Sequence, residues 1–493
     1  MQKPVPSTTL RGGLLLWTEG MGSMQATLLV CIFSPLIGAC VLPLIGRRAP
    51  RVRNFFSLLF VLVAFVCAAA LLPAVLGGDK PLVRLALPLG LSLGFQADAL
   101  SVFMAMTSSL VACVILIYSF GYIKEYDNQN EYYFMAVLFI GAMMGLVYAT
   151  SLILLYVFWE ISAIACWRLI GFYREELTIV RANKAYIVTV LGALIMLVGF
   201  LGIWGQTGTF ELTAMRGTQI PAWCVVLILF GILSKSATFP LHSWLPDAGV
   251  APSPVTSLLH AAVLVKIGVY AYARLFVATF TIDPVFTHVV PIIAAVSALI
   301  SAGCAMVETD LKRIIAYSTI SQLAFILLGV SIGNETGLVG GMLYILAHSV
   351  AKGGLFLCAG IVEHNLHTKD INKMGGLYKR FPLTAVAFAL CSLSVMGVPP
   401  FSGYFAKFLV VQGALTANQP WLAGVFILGA FMTVFYLSRV FFKVFLGPET
   451  NTHAHEKSRS MVGSVVFLGV LALVLGVFIS LPTELASRIW EVL

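Results

Sequence analysis

The chain has 493 residues, 60% of them hydrophobic and only 10% charged, where soluble domains carry ~25% charged residues. With a mean hydropathy of +0.97, it reads as a polytopic membrane protein, which excludes a soluble domain on a single anchor. The net charge of +9 marks Lys and Arg gathered on cytoplasmic loops, not a nucleic-acid surface.

Residues 1–24 read as an N-terminal tail. Lys3 and Arg11 flank a weak apolar stretch without a clean signal peptide, and Met21 and Met24 stand just before the first long apolar run, so a start there is expected. A membrane span needs ~20 apolar residues. By that measure there are about fourteen: 26–46, 54–77, 97–121, 131–149, 151–172, 184–205, 221–241, 254–277, 285–305, 311–332, 337–362, 382–412, 420–446 and 461–481. The stretch 82–95 is apolar but short, and the count slips by one if it crosses. Spans four and five are split only by a turn near Ala149-Thr150-Ser151.

Loops after the odd-numbered spans hold 17 of the 30 Lys and Arg, and the opposite side holds 7. That asymmetry puts both termini on the outer side of the cell's plasma (inner) membrane. Nine cysteines are scattered singly, without CxxC spacing, so no Fe–S cluster or zinc site is expected. No nucleotide loop or P-loop is legible either. No cofactor and no metal is expected, and no redox centre belongs to the chain itself.

Two spans are interrupted. The seventh breaks at Pro240, five residues after Lys235. The twelfth breaks at Gly397-Val398-Pro399-Pro400, seven residues before Lys407. Gly/Pro-interrupted spans in matching positions point to a transport site, although ordinary proline kinks are the plainer alternative. The offset of five spans predicts two five-helix repeats of opposite topology. The expected organisation is a tail 1–24, helices one to three in 25–125, a first repeat in 126–280, an inverted second repeat in 281–447, and a loop with a last helix in 448–493. The fold class is all-α.

The charges inside the spans carry the functional reading, since a charge at the bilayer centre costs ~3 kcal/mol on insertion scales. Glu160, in LLYVFWEISAIACW, is either a switch that answers a lysine or one half of a static pair. The deepest basic residues, Lys235, Lys266, Lys352 and Lys407, are all lysines, which change charge state when buried, as arginine does not. His260 precedes Lys266 by six residues, about 120° around a regular helix. His348 and Lys352 are four apart and share a face. Histidine titrates near physiological pH, so these two histidines are relay candidates beside the lysines, with a hydrogen-bonded structural role as the alternative. Arg168 and Arg439 are expected to snorkel or, for Arg439, to pair with a carboxylate. Asp98 is a candidate helix cap. His453 and His455 read as a solvated loop.

With these residues in view, the chain resembles the antiporter-like subunits shared by respiratory complex I, Mrp-type sodium/proton antiporters and membrane-bound group 4 hydrogenases. The resemblance covers roughly residues 95–446. It rests on WEISAIACWRLIGFY, KSATFPLHSWLPDAGVAPSPVTSLLHAAVLVKIGVY, ETDLKRIIAYSTISQLAF, LAHSVAKGGLFLCAG and GVPPFSGYFAKF. It implies a coupling pair, Glu160–Lys235, and a hydrophilic axis through His260, Lys266, His348, Lys352 and Lys407.

Departures are visible. Ala193 stands roughly where some members carry a sixth-span aspartate, and Arg168 where an aliphatic residue is usual. The His260–Lys266 combination resembles Mrp large-subunit and hydrogenase-type members. The chain ends soon after span fourteen. Neither the lateral helix of the distal subunit in complex I nor the extra domains of the Mrp large subunit are therefore expected.

The resemblance implies a proton-translocating subunit of a larger redox-driven complex. It would work with other membrane subunits, with a second antiporter-like subunit, and with a redox module. The alternatives are a sodium/proton antiporter subunit or a purely structural one. Protons, with sodium as the competing ion, are the transported species, and nucleic acid is excluded as a partner.

Overall fold

The structure, a computed structural model, describes residues 22–86, 92–450, 454–456 and 458–492. Most of the tail expected over 1–24, together with His453 and Lys457, lies outside them. Among the described residues twelve helices are long and apolar enough to cross a membrane. Two shorter apolar helices, Ala222–Lys235 and Pro382–Met396, open the seventh and twelfth spans, so an apolar helix stands in each of the fourteen expected spans.

The first three are α1 (Ser23–Gly46), α2 (Pro50–Leu76) and α3 (Ala99–Tyr122). Between α2 and α3 the short apolar stretch does not cross. It is a hairpin of β1 (Leu82–Ala86) and β2 (Ser92–Gln96), paired antiparallel with Leu82 opposite Gln96. Fourteen residues are too few to span as a helix, and a strand pair satisfies its own backbone groups. Thr150 N–H donates to Gly94 O at 3.0 Å, which pins the hairpin to the turn between spans four and five.

Two runs of five crossings follow. The first is α4 (Gln129–Tyr148), α5 (Leu152–Ile170), α6 (Glu176–Thr207), α7 (Ala222–Lys235) with α8 (Trp244–Asp247), and α9 (Ser253–Ser257) with α10 (Leu264–Tyr272). The second is α11 (Phe286–Val307), α12 (Leu311–Ser331), α13 (Glu335–Leu366), α14 (Pro382–Met396) with α15 (Ser402–Thr416), and α16 (Pro420–Phe441). In both runs the third helix has 32 residues, and the fourth breaks after 14 or 15. Five is odd, so the second run enters the membrane from the opposite side. α17 (Arg459–Val477) makes the last crossing. The amphipathic α18 (Ser480–Val492), which the hydropathy pattern did not announce, packs on α13 and α3.

The breaks are built locally. α7 ends at Ser236, and Ala237 is left-handed (φ +50), a conformation rare outside glycine. Trp244 Nε1 then donates to Ser234 O at 3.0 Å, so a carbonyl released by the break is satisfied. α14 ends at Gly397 with φ +83, where glycine carries no Cβ penalty. Lys235 precedes its break and Lys407 follows its own, so the two lysines are not in matched positions along the repeats.

The interior is a column of buried helix. In the most apolar window of Ser253–Val277 every residue is buried, against 28% for α2. The polar residues of span eight therefore face protein on all sides, while α2 presents an apolar flank.

Candidate functional site

Lys235 is the last residue of α7 and is fully buried. Its Nζ donates to Trp159 O at 3.2 Å and lies 5.3 Å from the Trp159 ring centroid. Glu160, the next residue of α5, is half-buried, and its Oε1 has no hydrogen-bond partner. The two do not form a contact ion pair: among the described residues none of Lys235, Lys266, Lys352 and Lys407 has a carboxylate within 4.0 Å.

Span eight departs from a regular helix. Leu258–Ala262 is π-helical, and Val263 leaves helical geometry altogether (φ −129°, ψ −73°). The regular-helix spacing behind the expected 120° between His260 and Lys266 does not hold in this segment. The distortion brings Lys266 Nζ back to His260 O at 2.6 Å. The His260 ring packs on Phe356 of α13 with centroids 4.3 Å apart, and neither ring nitrogen has a partner.

On α13, His348 and Lys352 share a buried face as expected. Lys352 Nζ donates to Ser318 Oγ at 2.5 Å and to Ile315 O at 3.4 Å, both on α12. Ser318 Oγ lies 2.6 Å from Tyr436 OH on α16. Gln322 Nε2 donates to Thr433 Oγ1 at 3.1 Å, and Gln322 Oε1 accepts from Tyr344 OH at 2.5 Å. The ring of that same Tyr344 stands 5.6 Å from Lys407 Nζ, with Phe325 at 4.8 Å. Lys407 Nζ donates to Val395 O at 2.7 Å, a carbonyl near the broken end of α14.

The residue pattern alone does not assign the polar groups between Lys352 and Lys407. The available signal is Ser318 and Gln322, four apart on one face of an otherwise apolar span.

The four lysines thus share a buried setting of carbonyl or hydroxyl oxygens, to which Lys235 adds the Trp159 ring and Lys407 the rings of Phe325 and Tyr344. Such an arrangement solvates an ammonium through cation–π and charge–dipole contacts, and fixes no negative charge beside it.

Several other residues stand elsewhere than expected. Arg168 does not simply snorkel; its guanidinium and that of Arg174 grip Glu131 at the start of α4. Among the described residues Arg439 has no carboxylate partner within 4.0 Å. It donates to Met306 O at 2.5 Å, Glu308 O at 2.6 Å and Ala305 O at 3.3 Å, closing the C-terminus of α11. Asp98 caps α3, as expected, and in addition binds Arg274 through both oxygens at 2.5 and 2.8 Å. Asp247, on the α8 arm, accepts from Lys184 at 2.7 Å and Arg313 at 2.8 Å. Burial pushes its carboxyl up, but those two cations outweigh burial and hold it below the usual carboxylate range. Among the described residues no group of three His, Cys, Asp or Glu is placed to hold a metal.

A helical membrane protein of fourteen crossings, two of them broken around a buried row of amines, is the class that this geometry defines. The family profile described as "NADH:quinone oxidoreductase/Mrp antiporter, TM" matches residues 149–433, more than half of the chain. The one described as "NADH-Ubiquinone oxidoreductase (complex I), chain 5 N-terminus" matches residues 86–134. The chain belongs to the NADH:quinone oxidoreductase/Mrp antiporter transmembrane family, whose members include antiporter-like subunits.

A Na(+)/H(+) antiporter subunit from Alkalihalophilus pseudofirmus is 32% identical over 93% of this chain and 61% of that protein. Another, from Staphylococcus aureus, is 29% identical over 92% and 61%. The chain thus spans about three fifths of the length of these curated relatives.

Among solved structures, a chain of the Mrp complex from Dietzia sp. aligns with a TM-score of 0.89 at 24% identity, covering 95% of this chain and 97% of that one. A chain of respiratory complex I from Thermus thermophilus aligns at 0.83 and 26%, covering 94% and 99%. A chain of an archaeal membrane-bound sulfane sulfur reductase aligns at 0.85 and 24%, covering 95% and 98%. All three neighbours are parts of multisubunit membrane complexes.

Proposed function

We propose that this chain is a proton-translocating antiporter-like subunit of a larger membrane complex, moving H+ along Glu160, Lys235, His260, Lys266, His348, Lys352 and Lys407. One observation carries the reading: four buried lysines sit at breaks or distortions of their helices, or against a hydroxyl chain, with no contact carboxylate to neutralise them. A static scaffold gains nothing from such amines, because a buried unpaired charge is costly. An amine that takes up and gives away a proton does need this setting.

In the proposed cycle, chemistry or ion exchange elsewhere in the complex moves α5 or α7. When the Glu160 carboxylate approaches Lys235, the charged amine is favoured; when it withdraws, Lys235 releases its proton. The proton passes to His260 and Lys266, then to His348 and Lys352, through Ser318, Tyr436, Gln322 and Tyr344 toward Lys407, and out. Residues 126–280 and 281–447 are the proposed inverted repeats, each supplying one half of the path.

The proposed setting is the plasma membrane with both termini outside, as the 17-to-7 distribution of basic residues supports. The proposed partners are other membrane subunits, among them a redox module and a second antiporter-like subunit. A second reading has a specific observation in its favour: the curated relatives are named Na(+)/H(+) antiporter subunits. In that reading, sodium exchange drives the same axis and no redox module is present.

The test is Lys235→Ala in the assembled complex reconstituted into vesicles. Proton transport is expected to be lost while the complex still assembles, and undiminished transport would refute the proposal. Repeating the wild-type measurement with and without sodium separates the two drives.

A further inference from the structure

α13 ends at His367, left-handed at φ +52. The chain then folds back, so that Leu311 N–H donates to Lys369 O at 2.9 Å and Asp310 bridges Asp370. This fold-back, on the side of the basic loops, walls a cavity of about 330 Å³ lined by Tyr122, Glu125, Tyr126, Glu363, His364 and Lys369, among others. Its titratable lining is unlike the apolar flanks of the bundle.

Glu363 stands at its inner wall with its two oxygens facing different surroundings. Oε1 meets Lys369 Nζ at 3.2 Å, and the Lys369 side chain is 30% exposed. Oε2 meets Lys312 Nζ at 2.6 Å and accepts from Ser253 Oγ at 3.2 Å. Lys312 is 1% exposed and Ser253 fully buried. One carboxylate therefore bridges the cavity and the sealed interior. Ser253 opens α9, Ser257 closes it one turn later, and His260 lies in the π-helical turn that follows. All three are buried, and both nitrogens of His260 lack partners.

We propose that Glu363 is the proton-loading carboxylate of an intake port, and that Ser253, Ser257 and His260 connect it to the lysine axis. The inference rests on the transport reading above. A hydronium in the cavity gives its proton to the Glu363 carboxylate, which loosens the grip on Lys312 and Lys369. The neutral carboxyl then donates to Ser253 Oγ. Ser253 passes its own hydroxyl proton to a bridging water, and a water file past Ser257, whose own hydroxyl donates to Gly353 O at 3.3 Å, delivers one to a free nitrogen of His260. Glu363 returns to the carboxylate, His260 becomes imidazolium, and only O–H and N–H bonds change. The charged and titratable groups around Glu363 are Lys312, Lys369, Asp310, Tyr118 and Tyr122, with His364 and Glu125, 3.5 Å apart, on the same cavity. A Glu–Lys lock between α12 and α13 would explain the short Lys312 contact but neither the cavity nor the hydroxyl row.

The test uses the assembled complex in vesicles. Glu363→Gln keeps the shape and the Ser253 contact and removes the titrating group. Flux is expected to fall on the order of 100-fold, the range for a positioned proton-transfer group, with assembly unchanged. Glu363→Ala should behave likewise and regain flux when a small weak acid such as formate or acetate is added on the cavity side. A carboxylate that merely docks helices predicts the opposite pattern, with flux indifferent to added acid and thermal stability reduced; that result, or full flux in Glu363→Gln, overturns the port. Lys235→Ala is run in parallel. Full flux there overturns the transport reading itself, whereas loss there with full flux in Glu363→Gln overturns the port alone.

Discussion

Lys407 is held by one carbonyl and two aromatic faces. Those contacts make it a sharp test of whether the amines serve transport or docking. Replacing a buried charged group by an apolar side chain of similar volume is often neutral or stabilising, because the desolvation cost disappears. Lys407→Met should therefore leave the melting temperature of the solubilised complex unchanged or raised while abolishing proton flux. A drop in stability with flux retained would mark Lys407 as a strut. At this scale the sequence is informative about residue type, since a lysine in an apolar span stands out against its neighbours. It is silent on partners. Nothing in the sequence says that Lys352 would meet Ser318, that Lys312 would leave its loop for Glu363, or that Arg439 would cap α11 rather than find an acid. Those contacts join residues more than thirty positions apart, and helix rotation decides them.

Helix breaks are legible in sequence when proline or glycine causes them: α14 stops at Gly397 as expected, whereas α7 stops at Lys235, five residues before Pro240. The distortion of the eighth span has no such marker. Leu258–Val263 contains neither residue, yet it forms the π-turn and the irregular Val263, and the Lys266 amine meets the His260 carbonyl. Packing decides it. Gly268 sits where an added Cβ would come within 2.6 Å of Ile232 O and 2.9 Å of Ser236 Cβ on the end of α7. That close approach holds α10 against the last turn before Lys235. Gly268→Leu should force the two helices apart, at a cost of about 1–3 kcal/mol as for other overpacked cores. It should also reduce flux, though it removes no ionisable group. Gly268→Ala, with the smaller clash, should fall between. Full transport in Gly268→Leu would show that the contact between spans seven and eight does not matter to the path.

Across the whole molecule the two halves meet through an ion-pair chain at the end that carries the basic loops. Lys184 lies in the third turn of α6 and Asp247 on the broken-helix arm, both in the first half. Arg313 belongs to α12 and also holds Glu308 at 2.9 Å, so Asp247 is one link between halves. The count of crossings and their inverted order follow from hydropathy and from an offset of five. This cross-link does not, because each charge taken alone reads as an ordinary loop residue.

Asp247 sits below the usual carboxylate range: burial raises it, and the hydrogen bonds from Lys184 and Arg313 more than offset that. Glu308 is lowered as well; burial raises it, and Arg313 with the backbone N–H groups of Thr309 and Asp310 lowers it further. A carboxylate whose folded-state value is depressed contributes stability above its unfolded value of ~3.9 for Asp or ~4.3 for Glu, and loses it as pH falls through the folded value. Lys184 is 40% exposed, so solvent screens the pair and Asp247→Asn should cost only on the order of 1 kcal/mol at pH 7. The gap between wild type and variant should persist down to about pH 4 and close below it, where wild-type Asp247 is itself being protonated. Melting curves of the solubilised chain between pH 7 and pH 3 check the sign. A gap that stays constant across that window would mean that Asp247 contributes by packing or hydrogen bonding alone, and the link between the halves would then carry no charge.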